Sequence, residues 1–269
     1  HEVLDDNDWS ATPLLQSLKP TAHRQLGSSG TGNHFVEWGA LTLVEDDERL
    51  GLTKGSYLAL LSHSGSRGVG FKIANFYSSL AKEMCPHLEP AVRNLAWFAL
   101  DSHYGQEYWL SMELAGRFAR ANHEVIHRKV AKAVGLKAAV VIENHHNFAW
   151  REPLIVDGLT REVIVHRKGA TPAGEGVLGV IPGSMGDEGF VVRGRGLSAS
   201  LNSASHGAGR SMSRKEAVSQ LTRTQRDQLL RSRNVTLLGG GLDESPQAYK
   251  PIREVMEAQR ELVDVVGTF

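Results

Sequence analysis

Cysteine is almost missing from this chain: Cys85 is the only one in 269 residues. One cysteine closes no internal disulfide, so the expected compartment is the reducing cytoplasm. Cys85 itself stands before Pro86 at an expected helix end and reads as a small apolar residue. Net charge is missing too. Lys and Arg number 30, Asp and Glu 30. That balance excludes a global basic field for nonspecific nucleic-acid binding and leaves room for a local basic cleft. No apolar run approaches the ~20 residues of a membrane span, so a membrane partner is not expected. There is no internal repeat and no low-complexity segment. The chain opens on His1 without an initiator Met and stops at Val265–Phe269 within an expected strand, so it is read as a piece trimmed at both ends.

Glycine, at 28 residues, is what the chain has in quantity, and it clusters beside histidine, serine and arginine. The densest cluster runs from Asn202 through His206-Gly207-Ala208-Gly209-Arg210 to Ser213-Arg214. Small residues let backbone N–H groups approach a ligand, and successive N–H groups form an anion-binding concavity. Arg210 and Arg214 add guanidinium forks suited to phosphate. His206 is then an imidazole beside a phosphate cradle, able to act as a nucleophile at phosphorus or as a general acid. The alternative is a surface turn before a helix that starts near Ser213.

In chain order, residues 1–25 read as irregular with helix-compatible patches. Gln25 to Gly32 is a glycine–serine loop leading into a strand from Phe35 to about Val44, which places Asn33, His34 and Glu37 where a loop becomes rigid. Ser56–Ser62 is a strand ending in His63-Ser64-Gly65-Ser66-Arg67-Gly68. A helix covers Val69 to about Met84, and a long one covers Gly105 to about Val134. The second carries His123-Glu124-Val125-Ile126-His127. These letters match the zinc-protease helix, but no third ligand follows at a suitable spacing. Lys137–Ile142 is an expected strand ending in His145-His146-Asn147. Arg161–Val165 is another, ending in His166-Arg167-Lys168-Gly169, where two cations beside a glycine suit phosphate. Gly174-Glu175-Gly176-Val177-Leu178-Gly179 has dinucleotide-loop letters but no helix behind it, so that reading is rejected. Pro182-Gly183-Ser184-Met185-Gly186 is a tight turn able to hold a phosphate or base edge. Strands are expected at Phe190–Arg193 and Asn234–Leu238, and helices at Thr222–Arg231 and Ile252–Leu262. The irregular alternation points to an α+β fold of mixed sheets with surrounding helices, a single domain over 1–269.

His34, His63 and His146 are each read as closing a strand and opening a small-residue loop. Three imidazoles at one end of a sheet would suit a metal with open positions. Together with the arginines and the glycine turns, they argue for a metal-assisted phosphoryl or nucleotidyl transferase.

At this point the chain resembles the RtcB family of RNA-splicing ligases. The resemblance rests on Gly32-Asn33-His34-Phe35-Val36-Glu37, His63 to Gly68, His146-Asn147, His166 to Thr171, Pro182 to Gly186, His206 to Arg210 with Ser213-Arg214, and Ala248-Tyr249-Lys250, in family order over nearly the whole chain. It implies GTP-dependent and manganese-dependent joining of a 2′,3′-cyclic phosphate or 3′-phosphate RNA end to a 5′-hydroxyl, in transfer-RNA splicing or RNA repair. His206 would attack the α-phosphate of GTP and carry GMP as a phosphoramidate. His34, His63 and His146 would be metal ligands, with two manganese ions expected in the complete protein. Asn33, Glu37, Asn147, Pro182, Gly183, Ser184, Met185, Gly207, Ala208, Gly209 and Tyr249 would bind the nucleotide, Glu37 at the guanine and Tyr249 stacked on it. Arg67, Arg167, Lys168 and Arg210 would hold RNA phosphates. The family's Asp-x-Gly-Cys metal motif and its C-terminal guanine-contacting lysine have no counterpart here, and Cys85 does not stand in the motif's context. The other readings are a metal-dependent phosphoesterase on the same scaffold and a non-catalytic RNA-binding piece.

Overall fold

The computed structural model describes residues 1–30 and 32–269; Thr31, within the glycine–serine loop, lies outside them. It has helices and antiparallel sheets, an α+β fold, and the chain forms two compact units. Residues 1–37 and 62–138 make the first, residues 38–61 and 139–269 the second.

The first unit is helical: α1 (Pro13–Gln25), α2 (Arg67–Met84) and α3 (His103–Ala133). α1 falls in the stretch expected to be irregular. Thr12 caps it by accepting the Leu15 N–H at 3.1 Å, and Pro13 takes the first turn, where its missing N–H costs nothing. Pro20 lies inside α1 and masked the pattern, yet Leu15, Leu18 and Ala22 still form a buried stripe. They pack with Val69, Ile73 and Tyr77 of α2 and Leu114 and Phe118 of α3. Trp9 closes this core, 1% exposed, edge-on to Phe118 with ring centroids 6.3 Å apart, its Nε1–H donating to the Val3 carbonyl at 2.8 Å.

The second unit holds a five-stranded sheet in the order β2-β1-β9-β7-β6, with β1 Phe35–Leu43, β2 Gly55–His63, β6 Leu178–Pro182, β7 Gly189–Gly194 and β9 Val263–Thr268. The outer ends of β1 and β2 belong to the helical unit. β9 pairs antiparallel with β1 (Thr42 opposite Thr268) and with β7, where a bulge falls between Val191 and Val192. Two short ladders complete it. β3 (Asn147–Val156) pairs with β4 (Leu159–Lys168), and β5 (Ala170–Pro172) with β8 (Ser203–Ser205). Three helices follow: α4 (Arg214–Gln220), α5 (Arg223–Ser232) and α6 (Ile252–Ala258).

Several expectations are corrected. Lys137–Ile142 joins no ladder; its β-branched Val140 and Ile142 instead pack, partly buried, on Leu41, Leu43, Leu50 and Val191. Asn234–Leu238 is not a strand, because Asn234, at φ +57°, ends α5 and turns the Val235 N–H back to the Leu230 carbonyl at 2.9 Å. α6 stops at Ala258 rather than Leu262. β3 was not anticipated. Its signal is Asp157-Gly158, both at positive φ (52° and 76°), the two-residue hairpin turn that suits strand twist. Consequently His166, Arg167 and Lys168 lie within β4 rather than beyond a strand end, and β6 runs through Pro182.

Trp9→Ala is expected to cost about 3–5 kcal/mol for the lost ring. Trp9→Phe, which mainly orphans the Val3 carbonyl, should cost roughly 1–3 kcal/mol. Urea denaturation monitored by circular dichroism measures both.

Candidate functional site

The site residues fall into two groups, one per unit. In the helical unit the glycine–serine loop and the His63 loop are tied by one buried side chain. Asn122 of α3, 0% exposed, accepts the N–H groups of Gly27 and Ser28 at 2.7 and 3.2 Å. Its amide donates at 3.1 Å to the carbonyls of Ser28 and Gly65 and to Ser64 Oγ. Asn122 was not singled out from sequence, where it reads as one more polar residue in a helix. The only available hint was an asparagine between Ala121 and Val125 on the apolar stripe of α3.

On that frame His34 and His63 lie with ring centroids 6.0 Å apart, tilted by 32°, and Phe35 stacks on His63 at 5.7 Å. His63 ends β2 as expected, whereas His34 directly precedes β1 and opens it. Arg67 Nη1 donates to His34 Nδ1 at 3.0 Å, and the Asn33 amide reaches His63 Nε2 at 3.4 Å. Arg67, at φ +56°, begins α2 in the left-handed region, a strained backbone held by its neighbours. Burial, then the Arg67 charge and His123, hold His34 below the ordinary imidazole range, so it is neutral at pH 7. With Nδ1 accepting from Arg67, the proton of the neutral ring lies on Nε2, so a metal binding at Nδ1 has to displace the guanidinium. As neutral-imidazole side chains, His34 and His63 are of the donor type that a divalent-metal set uses. Among the described residues no group of three or more His, Cys, Asp or Glu is gathered for a metal. Glu37 lies half-buried on β1, and desolvation raises its carboxyl from 4.5 to about 7.

In the second unit β8 lies against β5, Ser205 opposite Ala170, and so delivers His206 beside Gly169. His206 Nδ1–H donates to the Gly169 carbonyl at 2.8 Å. In the neutral ring this leaves the lone pair on Nε2. Gly169 also donates its N–H to the His146 carbonyl at 3.0 Å, and the His146 ring stacks on His206 at 5.0 Å and 18°. His146 precedes β3, so it opens a strand rather than closing one. Gly169 sits at φ +71°, a conformation strained for any other residue. The Ala208 N–H bonds the Pro182 carbonyl at 3.1 Å, joining the His206 loop to the Pro182–Gly186 turn. Within that turn Ser184 Oγ donates to Asp187, which also takes Arg233. Gly207 is close-packed: an added Cβ would stand 3.1 Å from the Pro182 carbonyl. Asn147 is the first, exposed residue of β3.

Three cations expected at phosphate are used inside the fold. Arg167, 2% exposed, forms a bidentate pair with Glu152 at 2.6 and 2.8 Å beneath the Trp150 ring. It also donates to Ser203 Oγ at 2.8 Å and to the Leu201 carbonyl at 2.9 Å. Leu201 and Asn202 are consecutive left-handed residues, φ 53° and 50°, directly ahead of β8. Arg167 therefore positions the approach to His206 instead of meeting phosphate. Arg210 donates to the Met212 and Asp243 carbonyls and to Tyr249 Oη, its guanidinium 5.1 Å over the Tyr249 ring. Arg214 pairs with Asp243 and Glu244. The acids at 243 and 244 thus neutralise the cations flanking the His206 loop. Lys168 remains exposed on β4. Tyr249 donates to Glu244; burial, then Glu244, raises its hydroxyl to about 12, so it stays protonated.

The chain belongs to the RtcB family: the family profile, described as tRNA-splicing ligase RtcB, matches residues 6–269. Among its relatives is the RNA-splicing ligase RtcB of Escherichia coli (strain K12), 35% identical over 275 residues, 97% of this chain and 63% of that protein. The tRNA-splicing ligase RtcB of Nanoarchaeum equitans (strain Kin4-M) is 32% identical over 295 residues, 97% of this chain and 61% of that protein. The RNA-splicing ligase RtcB of Mycobacterium tuberculosis (strain H37Rv) is 33% identical over 263 residues, 88% of this chain and 61% of that protein. The chain thus spans a little over three fifths of these relatives' lengths.

Arg167→Met should destabilise the protein by about 3 kcal/mol, because Glu152 keeps its charge without a partner; Arg167→Met with Glu152→Leu should recover most of it. Thermal unfolding of the three proteins checks this. Glu37 has a folded pKa above its free value, so the stability it contributes is complete below pH 4.5 and is lost as pH rises through about 7. Glu37→Gln is therefore expected to raise the melting temperature above pH 7 and leave it nearly unchanged at pH 4, with a carboxyl ¹³C midpoint near 7 in the parent protein.

Proposed function

We propose that the protein is a cytoplasmic RNA ligase that joins 2′,3′-cyclic phosphate or 3′-phosphate RNA ends to 5′-hydroxyl ends, using GTP and manganese. The observation that carries this reading is the bond from His206 Nδ1–H to the Gly169 carbonyl. It fixes the tautomer whose Nε2 is a nucleophile. In the first step Nε2 attacks the α-phosphate of GTP. A P–N bond forms, the P–O bond to pyrophosphate breaks, and the ring becomes cationic. The Gly169 carbonyl, already accepting from Nδ1–H, stabilises that charge, much as a carboxylate does in a catalytic triad. A cyclic end is first opened by water, which breaks the P–O2′ bond and leaves a 3′-phosphate; the GMP then passes to that 3′-phosphate, His206 leaving as a neutral imidazole. Attack by the 5′-hydroxyl expels GMP and closes the strand. Covalent catalysis of this kind divides one hard displacement into activated steps.

Manganese, when bound, offsets phosphate charge, and His34, His63 and His146 are the residues proposed to hold it. Glu37 is proposed to accept the guanine N–H donors, which requires its ionised form. Binding of guanine should then pull the Glu37 pKa down from about 7. The Pro182–Met185 turn, with Asn33, Asn147, the Gly207–Gly209 backbone and Tyr249, is proposed to hold the rest of the nucleotide. Arg67 and Lys168 are proposed to meet RNA phosphates.

Intact mass spectrometry of the full-length protein, after incubation with GTP and manganese, tests the first step. The expected result is a mass gain of one GMP, lost in acid as a phosphoramidate is and absent from His206→Ala. A protein that binds manganese and takes no GMP overturns the nucleotidyl-transfer reading and favours the phosphoesterase.

A further inference from the structure

The string His123-Glu124-Val125-Ile126-His127 has no part in the function above. In the helical unit its two imidazoles face a single oxygen. His123 Nδ1 lies 2.9 Å from Ser62 Oγ, and His127 Nε2 lies 2.7 Å from the same atom. The rings stand nearly perpendicular, 84° apart with centroids at 6.3 Å. Glu124 takes no part: it is exposed and meets His1 Nε2 at 3.1 Å. The zinc-protease arrangement, with its glutamate as base, is therefore not built.

The backbone under the cluster is held firmly. Asn122, Val125 and Ile126 of the same stretch of α3 are buried, and Asn122 binds Ser64, two residues after Ser62. The imidazoles occupy successive turns of one helix, the spacing at which two histidines share a metal. Two imidazole nitrogens within 2.9 Å of one hydroxyl oxygen make, together with that oxygen, a donor set for a borderline divalent ion. Ligands on zinc, with bonds of ~2.0–2.1 Å, stand ~3.3 Å apart in a tetrahedron. Each nitrogen needs to part from Ser62 Oγ by only about half an ångström, which side-chain rotation supplies at these partly exposed rings.

We propose that His123, His127 and Ser62 form a binding site for one divalent transition-metal ion of the zinc class, separate from the His34–His63 pair. The histidines bind through Nδ1 and Nε2 respectively, each ring keeping its proton on the remote nitrogen. Ser62 keeps its proton and turns a lone pair to the ion, and water completes the set. An imidazole-rich site of this kind prefers zinc to manganese, whose usual ligands are oxygens.

The test is a zinc titration of the full chain against a chromophoric chelator, without GTP or manganese. One equivalent is expected to bind. Its affinity should fall about tenfold or more in His123→Gln and in His127→Gln, fall severalfold in Ser62→Ala, and persist in a His34→Gln/His63→Gln double variant. Long-range ¹H–¹⁵N spectra of the unaltered protein should show zinc shifting His123 Nδ1 and His127 Nε2, a readout that no misfolded variant can obscure. No saturable zinc binding, binding indifferent to His123→Gln and His127→Gln, or binding lost with the His34/His63 pair would each overturn the proposal. None of those outcomes touches the GMP-adduct reading, which is measured separately.

Discussion

The bond between the Gly169 carbonyl and His206 Nδ1 is the constraint on which the second unit turns. An imidazole in solution exchanges tautomers freely, so no single nitrogen is presented to a phosphate. Here the carbonyl is fixed because Gly169 adopts a positive φ between β4 and β5, and because β5 is zipped to β8. The N–H of the same residue donates to the His146 carbonyl. One left-handed glycine thereby joins the His206 ring to the His146 backbone, 60 residues apart in the chain.

Around that bond, buried polar side chains do what loops of small residues cannot do alone. A loop rich in Gly and Ser has high entropy and few contacts to order it. Asn122 offsets this in the helical unit by saturating donors and acceptors of two loops at once, in a site closed to water. Arg167 acts comparably in the second unit, with Glu152 balancing its charge and the carbonyl of strained Leu201 held in place. Both are costly to bury and both are fully engaged, which is how buried polar groups persist.

How far the sequence could be read follows from the range of each signal. The bounds of β1, β2, α2 and α3 were legible because alternation and helical periodicity are local. The N-terminal helix was obscured by Pro20, and the β3–β4 hairpin by a strand pattern that shows only once Asp157-Gly158 is recognised as its turn. Val140 and Ile142 look like a strand from composition, yet they are buried by packing without any ladder. The cations misled most. An arginine beside a glycine and a histidine reads as a phosphate ligand, whereas its acidic partner lies 15 residues away for Arg167 and 30 away for Arg214.

By itself the sequence determined the family, the α+β class and the positions of most elements, since motif spacing and periodicity survive without coordinates. Only the tertiary structure decided which nitrogen of His206 is presented, which arginines are consumed by Glu152, Asp243 and Glu244, and that Ser62 stands between His123 and His127. Tautomers, ion pairs and converging donors depend on distances of a few ångströms between residues far apart in the chain, and the sequence carries no record of those distances.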